Sequence, residues 1–235
     1  MKEAIILAGG FGTRLRSVVD DKPKALASIN GRPFLEYLLD HLIGSGIERF
    51  VFSVGYRALQ IEEHFGADYQ GRPIQYALEE SPLGTGGGIA NALDFTESDT
   101  VLVTNGDSLF LSDIAAQQAL HQRSGALATL ALHPMKNFQR YGRVEINENG
   151  RITAFHEKEP VEEGLINGGV YLLQRDVFKQ AGLSGKFSLE TDFFTNMVDQ
   201  FPLHGLIDEG YFLDIGIPED FARAQVDFAT LRIGR

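Results

Sequence analysis

The 235-residue chain predicts an α/β fold, a mixed but mostly parallel sheet flanked by helices, and three observations carry that prediction. Through the first half, short apolar runs alternate with segments of helical period, the order that parallel strands joined by helical crossovers require. Those runs end in loops of Gly, Asn and acidic residues, and in such sheets ligands sit outside the carboxyl ends of the strands. From Ala126 onward the apolar segments shorten and are separated by turn pairs such as Asn149-Gly150, which marks a more antiparallel continuation.

The first element is the apolar run at residues 4–8, followed at once by Gly9, Gly10 and Gly12. A run without polar alternation suits a strand buried on both faces. Glycines after it let several backbone N–H groups converge on an anion with no Cβ in the way. Arg14, Arg16, Lys22 and Lys24 stand beside them in a chain of formal net charge −11, a contrast that predicts a polyanionic guest. Two familiar phosphate loops do not match. A dinucleotide fingerprint needs a third glycine where Leu15 stands and an acid later than Asp20-Asp21, and the G-x-x-x-x-G-K-[ST] string is absent.

Pro33 opens a helix in which Phe34, Leu35, Leu38, Leu39, Leu42 and Ile43 fall at helical spacing before Gly44 to Gly46 end it. Residues 49–54 read as a second buried strand, 58–65 as a helix and 73–78 as a third strand. The loop EESPLGTGGG at 79–88 leads into a helical stretch at 89–93, and Gly84 and Thr85 would let a flat ring lie against the backbone. Residues 99–104 form another strand, ending in Asn105-Gly106-Asp107. Residues 112–123 read as a helix with Ser112 at its N-cap. Short strands follow at 126–132, 142–146 and 151–155. Ser188 to Asp192 has the form of a capping box opening a helix through Val198, so Glu190 and Asp192 read as structural. Residues 211–219 read as a strand and turn, and Pro218 starts a closing helix that runs to about Thr230.

Composition narrows the function classes. Without cysteine there is no disulfide, thiolate chemistry or cysteine-ligated zinc, and the six histidines lack metal-ligand spacing. The acidic balance argues against a nucleic-acid partner. No apolar segment approaches the roughly 20 residues that span a bilayer, and no secretory leader is present, so no membrane partner and a cytoplasmic location are expected. No linker, repeat or low-complexity tract divides the chain, which is expected to form one domain over 1–235.

The string GGFGTRL followed closely by KPKAL resembles the G-x-G-T-R…P-K signature of the sugar-1-phosphate nucleotidyltransferases, enzymes that join a nucleoside triphosphate to a sugar 1-phosphate. Later motifs extend the resemblance along nearly the whole chain. It implies the Rossmann-like, GT-A-like fold of the nucleotide-diphospho-sugar transferases, with a nucleotide-binding half at about 1–125 and a sugar-phosphate half at about 126–235. It also implies that Leu7, Ala8, Gly9, Gly10, Gly12 and Thr13 hold the triphosphate, that Arg14 neutralises the departing pyrophosphate and that Lys24 reaches the phosphates at the reacting centre. The LGT string places Gly84 and Thr85 on the nucleobase and Glu79 on its edge. Asp107, in N-G-D, and Asp214, in D-x-G-x-P-E, would hold Mg²⁺, with Asp107 at the catalytic centre; Ile217 replaces the threonine usual in that turn. Tyr141, Gly142, Glu157, Lys158, Asn167 and Gly168 would form the sugar-phosphate site, Lys158 on the phosphate and Glu157 and Asn167 on hydroxyls.

Within the family, the run EESPLGTGGGI and the pair Pro33-Phe34 look most like the guanylyltransferases that act on D-glycero-D-manno-heptose 1-phosphate for bacterial surface polysaccharides. GTP is therefore the favoured triphosphate, since the Glu79 carboxylate can accept the two parallel N–H groups of guanine's edge. Mannose-1-phosphate guanylyltransferases and N-acetylmuramate-1-phosphate uridylyltransferases are similar alternatives, and a homo-oligomer is left open. Two other classes compete. A non-catalytic regulatory subunit would be expected to lack Arg14, Lys24 or an aspartate, whereas a dinucleotide-binding oxidoreductase would bind NAD(H).

Overall fold

A computed structural model describes residues 1–10 and 22–233. The first strand, β1 (Glu3–Leu7), is buried on both faces at its centre, as its unbroken apolar run requires. A 3-10 turn at Lys24–Leu26 precedes a small ribbon of β2 (Ser28–Ile29) and β3 (Arg32–Pro33). Then come α1 (Phe34–Gly44), β4 (Arg49–Val54), α2 (Ala58–Phe65), β5 (Asp68–Tyr69), β6 (Arg72–Leu78), α3 (Gly84–Leu93) and β7 (Thr100–Asn105). Strands β7, β1, β4 and β6 lie side by side in parallel, with Ile5 opposite both Val51 and Val103. Their carboxyl ends therefore open along one edge.

The second half runs β8 (Ser108–Phe110), α4 (Ile114–Ser124), β9 (Ala128–Phe138), β10 (Gly142–Ile146), β11 (Ile152–Lys158) and β12 (Val161–Gln174). It closes with α5 (Val177–Gln180), a π-helical segment at Leu189–Thr195, β13 (Leu203–Ile207), β14 (Phe212–Asp214) and α6 (Pro218–Asp227). The long β12 joins the halves: its end lies antiparallel to β7, with Val170 opposite Thr104, while its start pairs with β10. The main sheet order is thus β11-β10-β12-β7-β1-β4-β6-β5, with β9 also on β12 and β13 on β9.

Because successive strand residues point to opposite faces, β1 feeds two cores. Ala4 and Ile6 pack with Phe34, Leu38, Phe50 and Phe52 beneath α1, and Ile5 packs with Val51, Val103, Ile89 and Phe193 on the other side. Among the described residues no helix is long and apolar enough to cross a membrane.

Several predicted elements shift. Helix α3 begins at Gly84 rather than 89, because its glycines are contact surfaces. A Cβ on Gly88 would lie 2.6 Å from Glu79 Oε1 and 3.0 Å from Ser53 Oγ. The α4 cap is Asp113, whose carboxylate accepts the Ala116 N–H; Ser112 is buried instead. Strand β12 is not among the predicted elements; Asn167-Gly168-Gly169 lies inside it, where the register against β9 slips between Asn167 and Tyr171. The predicted helix after Ser188 has the expected cap, with Ser188 Oγ accepting from Thr191 N–H and Asp192 accepting from Ser188 N–H. Its first turns, however, are π-helical.

Candidate active site

Two clefts open along the carboxyl edge of the parallel strands. The first, about 350 Å³, is bordered by Leu7, Ala8, Gly9 and Gly10 after β1, by Glu79 after β6, and by Gly84 and Thr85 at the start of α3. The second, about 490 Å³, is bordered by Tyr141, Gly142, Glu157, Lys158, Asn167 and Gly168. Both clefts share Asn105, Asp107 and Glu190. Gly12, Thr13, Arg14 and Arg16 lie outside the described residues.

Asp107 stands where the clefts meet because β7 ends at Asn105 and the chain turns into β8. Lys24 Nζ donates to Asp107 Oδ2 at 3.0 Å, its side chain only 13% exposed. The pairing of β14 with β8 sets Asp214 opposite Ser108, one residue from Asp107, and Ile215 N–H donates to the Asp107 carbonyl. Asp214 accepts from Gly216 N–H at 2.6 Å and, at a long 3.4 Å, from the Tyr141 hydroxyl. Burial pushes the Asp214 carboxyl above the usual carboxylate range, and the negative charge of Asp107 pushes it further. Burial and the same Asp214 charge also raise Tyr141, keeping it protonated. Two hard oxygen donors held against mutual repulsion fit a small divalent cation that completes its shell with water and phosphate oxygens.

On the first cleft, Glu79 is already engaged. Its Oε1 accepts from Ser53 Oγ at 3.2 Å and its Oε2 from Leu83 N–H at 3.1 Å, so it braces the loop that leads to α3. Gly84 adopts φ +76°, and the Phe187 carbonyl would sit 2.6 Å from any Cβ there. That carbonyl takes the N–H groups of Gly86 and Gly87, which therefore face protein rather than the cleft. On the second cleft, Asn167 Nδ2 donates to the Tyr171 hydroxyl at 3.0 Å and its Oδ1 accepts Gly169 N–H at 2.9 Å, which fixes the amide's direction.

Sequence reasoning missed three bordering residues. Arg140, ion-paired with Asp220 and 5.5 Å from the Tyr141 ring centroid, carries only a charge next to a motif as its signal. Arg143 donates to Glu145 on the strand that begins at Gly142. Glu190 read as a helix-capping residue, and its place between the clefts follows from a tertiary contact more than a hundred residues away in sequence.

A parallel sheet with two anion-compatible clefts meeting at a carboxylate pair defines a class, and the chain belongs to the nucleotidyl transferase family, whose model matches residues 3–230. Its fold is that of the nucleotide-diphospho-sugar transferases. The chain is 47% identical over 223 residues to the D-glycero-alpha-D-manno-heptose 1-phosphate guanylyltransferase of Aneurinibacillus thermoaerophilus, covering 95% of this chain and 96% of that one. It is 40% identical over 219 residues to the Campylobacter jejuni protein of the same name, with 93% and 96% covered. The crystal structure of HddC from Yersinia pseudotuberculosis superposes with a TM-score of 0.85 at 32% identity, covering 97% of this chain and 100% of that one. HddC has also been solved complexed with GMP-PN, with a TM-score of 0.84.

Proposed function

We propose that the chain transfers guanylyl from GTP to D-glycero-α-D-manno-heptose 1-phosphate, releasing pyrophosphate. The observation that carries this reading is the meeting of the two clefts at Asp107. The two relatives named as heptose 1-phosphate guanylyltransferases, matched over nearly their whole length, support the choice of substrates.

Residues 1 to about 125 supply the nucleotide side, and about 126–235 the sugar side. Leu7, Ala8, Gly9, Gly10, Gly12 and Thr13 cradle the triphosphate, with Gly84 and Thr85 against the base and Glu79 at its edge. Tyr141, Gly142, Glu157, Lys158, Asn167 and Gly168 receive the sugar 1-phosphate. An oxygen of that phosphate displaces pyrophosphate in line at the α-phosphorus, and the nucleophile is already anionic, so no general base is required. Two unit charges ~4 Å apart at an effective dielectric near 20 repel by about 4 kcal/mol, so the approach needs cations at the junction. Lys24 and Arg14 serve the triphosphate there, and Lys158 serves the sugar phosphate. Asp107 and Asp214 would hold Mg²⁺, which would supply Lewis-acid charge neutralisation when bound.

The test is incubation with each of the four triphosphates and a panel of sugar 1-phosphates, followed by pyrophosphate release and mass spectrometry. GDP-heptose should dominate. A nucleotide-sugar formed faster from mannose 1-phosphate, or from UTP with N-acetylmuramate 1-phosphate, would replace this reading with one of those activities.

A further inference from the structure

Glu190 borders both clefts, and its carboxylate is held from one side only. Oε2 accepts the Thr85 hydroxyl at 2.7 Å and the Ser188 hydroxyl at 2.9 Å. Each hydroxyl is itself aimed by a backbone donor: Thr85 Oγ1 accepts Leu189 N–H at 2.9 Å, and Ser188 Oγ accepts Thr191 N–H at 3.2 Å. Oε1 has no hydrogen-bond partner among the described residues. The result is a carboxylate of fixed direction with one free acceptor oxygen.

The π-helical segment sets Glu190 among residues of the second cleft. Its wide turn, closed by i to i+5 bonds, sets residues four and five apart on one side. Thr195 Oγ1 accordingly donates to the Glu190 carbonyl at 2.9 Å. Leu189, Phe193 and Phe194 are buried, and Glu190, Thr191, Phe194 and Thr195 border the second cleft, the last three without reaching the first. Phe194, fully buried, stacks on the half-buried Phe155 with ring centroids 5.3 Å apart and an 8° interplanar angle, so the pair backs this cleft from within the core. A carboxylate repels phosphate, and as an ion it can only accept hydrogen bonds. The partner that suits it in this cleft is therefore a sugar hydroxyl.

We infer that Glu190 is a specificity-determining residue that accepts a hydrogen bond at Oε1 from one hydroxyl of the sugar 1-phosphate. The inference rests on the proposed transfer reaction. It adds a reader of the sugar on the segment that also closes the nucleotide cleft.

A ligand–protein double cycle tests it. Parent, Glu190→Ala and Glu190→Gln are assayed with GTP and D-glycero-α-D-manno-heptose 1-phosphate, and with a set of its mono-deoxy analogues. In the parent, one deoxy position should lower kcat/KM roughly ten- to a hundredfold, the range for an unmade hydrogen bond to a charged group. In Glu190→Ala that position's penalty should fall to within about twofold, while the penalties at the other positions stay. Glu190→Gln keeps an acceptor for Thr85 and Ser188, so it serves if the alanine variant melts early; there the penalty should shrink severalfold at an unchanged melting temperature. Variants that lose activity equally with every analogue, or keep the parent's pattern of penalties, would show that Glu190 is only a strut and overturn the inference. A parent that turns over no sugar 1-phosphate overturns the functional reading and this inference with it.

Discussion

Asp214→Asn should abolish turnover and yet raise the stability of the metal-free protein. The side chain is half-buried and feels the charge of Asp107, so its ionised form is disfavoured on two counts. The amide has the same shape and can keep the local bonds, its Oδ1 accepting Gly216 N–H and its Nδ2 donating to the Tyr141 oxygen. Relief of a functional site of this kind typically yields about 0.5–2 kcal/mol. At about 2–4 °C per kcal/mol for a chain of this size, the melting temperature at pH 7 with a chelator should rise by roughly 1–8 °C. The sign follows from linkage. A carboxyl raised above its unfolded value destabilises the fold where both states are ionised, and this cost disappears as pH falls through the folded value. The gain should therefore shrink in acid. Added Mg²⁺ should stabilise the parent and not the variant, because only the parent retains both carboxylates. Turnover should fall on the order of a hundredfold or more at saturating Mg²⁺. A variant that melts below the parent in chelator, or one that keeps near-normal turnover, refutes the reasoning.

Three further outcomes are expected. Gly88→Ala should lose about 1–3 kcal/mol in urea unfolding and raise the KM for GTP, despite alanine's better helix propensity, because its methyl meets Glu79 and Ser53; equal stability and KM would contradict that. Glu79→Gln should move preference from GTP toward UTP by roughly ten- to a hundredfold in kcat/KM, and an unmoved ratio would leave Glu79 only its contacts with Ser53 and Leu83. Burial lowers His41 and His121 below the ordinary value, opposed at His41 by Asp208 and reinforced at His121 by His204. Below about pH 6.5 the unfolded chain therefore takes up protons that the fold refuses, and stability present above that pH is lost as pH falls toward the folded values. Urea midpoints that stay flat between pH 7.5 and 5.5 would count against the buried histidines.

What could be read from sequence was local. β4 and α2 stand at the predicted bounds because a short apolar run and a bounded helical period each carry their own signal. Lys24, Asp107 and Asp214 were legible as motif residues, but the bond from Lys24 to Asp107 was not, since 83 positions separate them. The glycines of α3 misled for a physical reason: glycine marks close contact as readily as a loop, and only the position of Phe187 distinguishes the two. The strand β13 was missed because its five residues, Leu203–Ile207, include His204 and Gly205 and show no clean alternation. It exists because β9 offers it an edge.

The bonds between residues 83–88 and 185–190 bear on how the protein is made. Leu83 accepts from Phe187 N–H, the Phe187 carbonyl takes Gly86 and Gly87, and Thr85 joins Glu190. Synthesis runs from the N-terminus, so α3 leaves the ribosome about a hundred residues before the segment that covers its glycine face. Until then the α3 wall of the first cleft has neither its cover nor its polar ties, and the glycines that suit the finished contact weaken the bare helix. A nascent chain ending near residue 125 should therefore bind GTP poorly. The first cleft is thus finished late in translation, and a fragment holding only the N-terminal half should lack part of that cleft's wall.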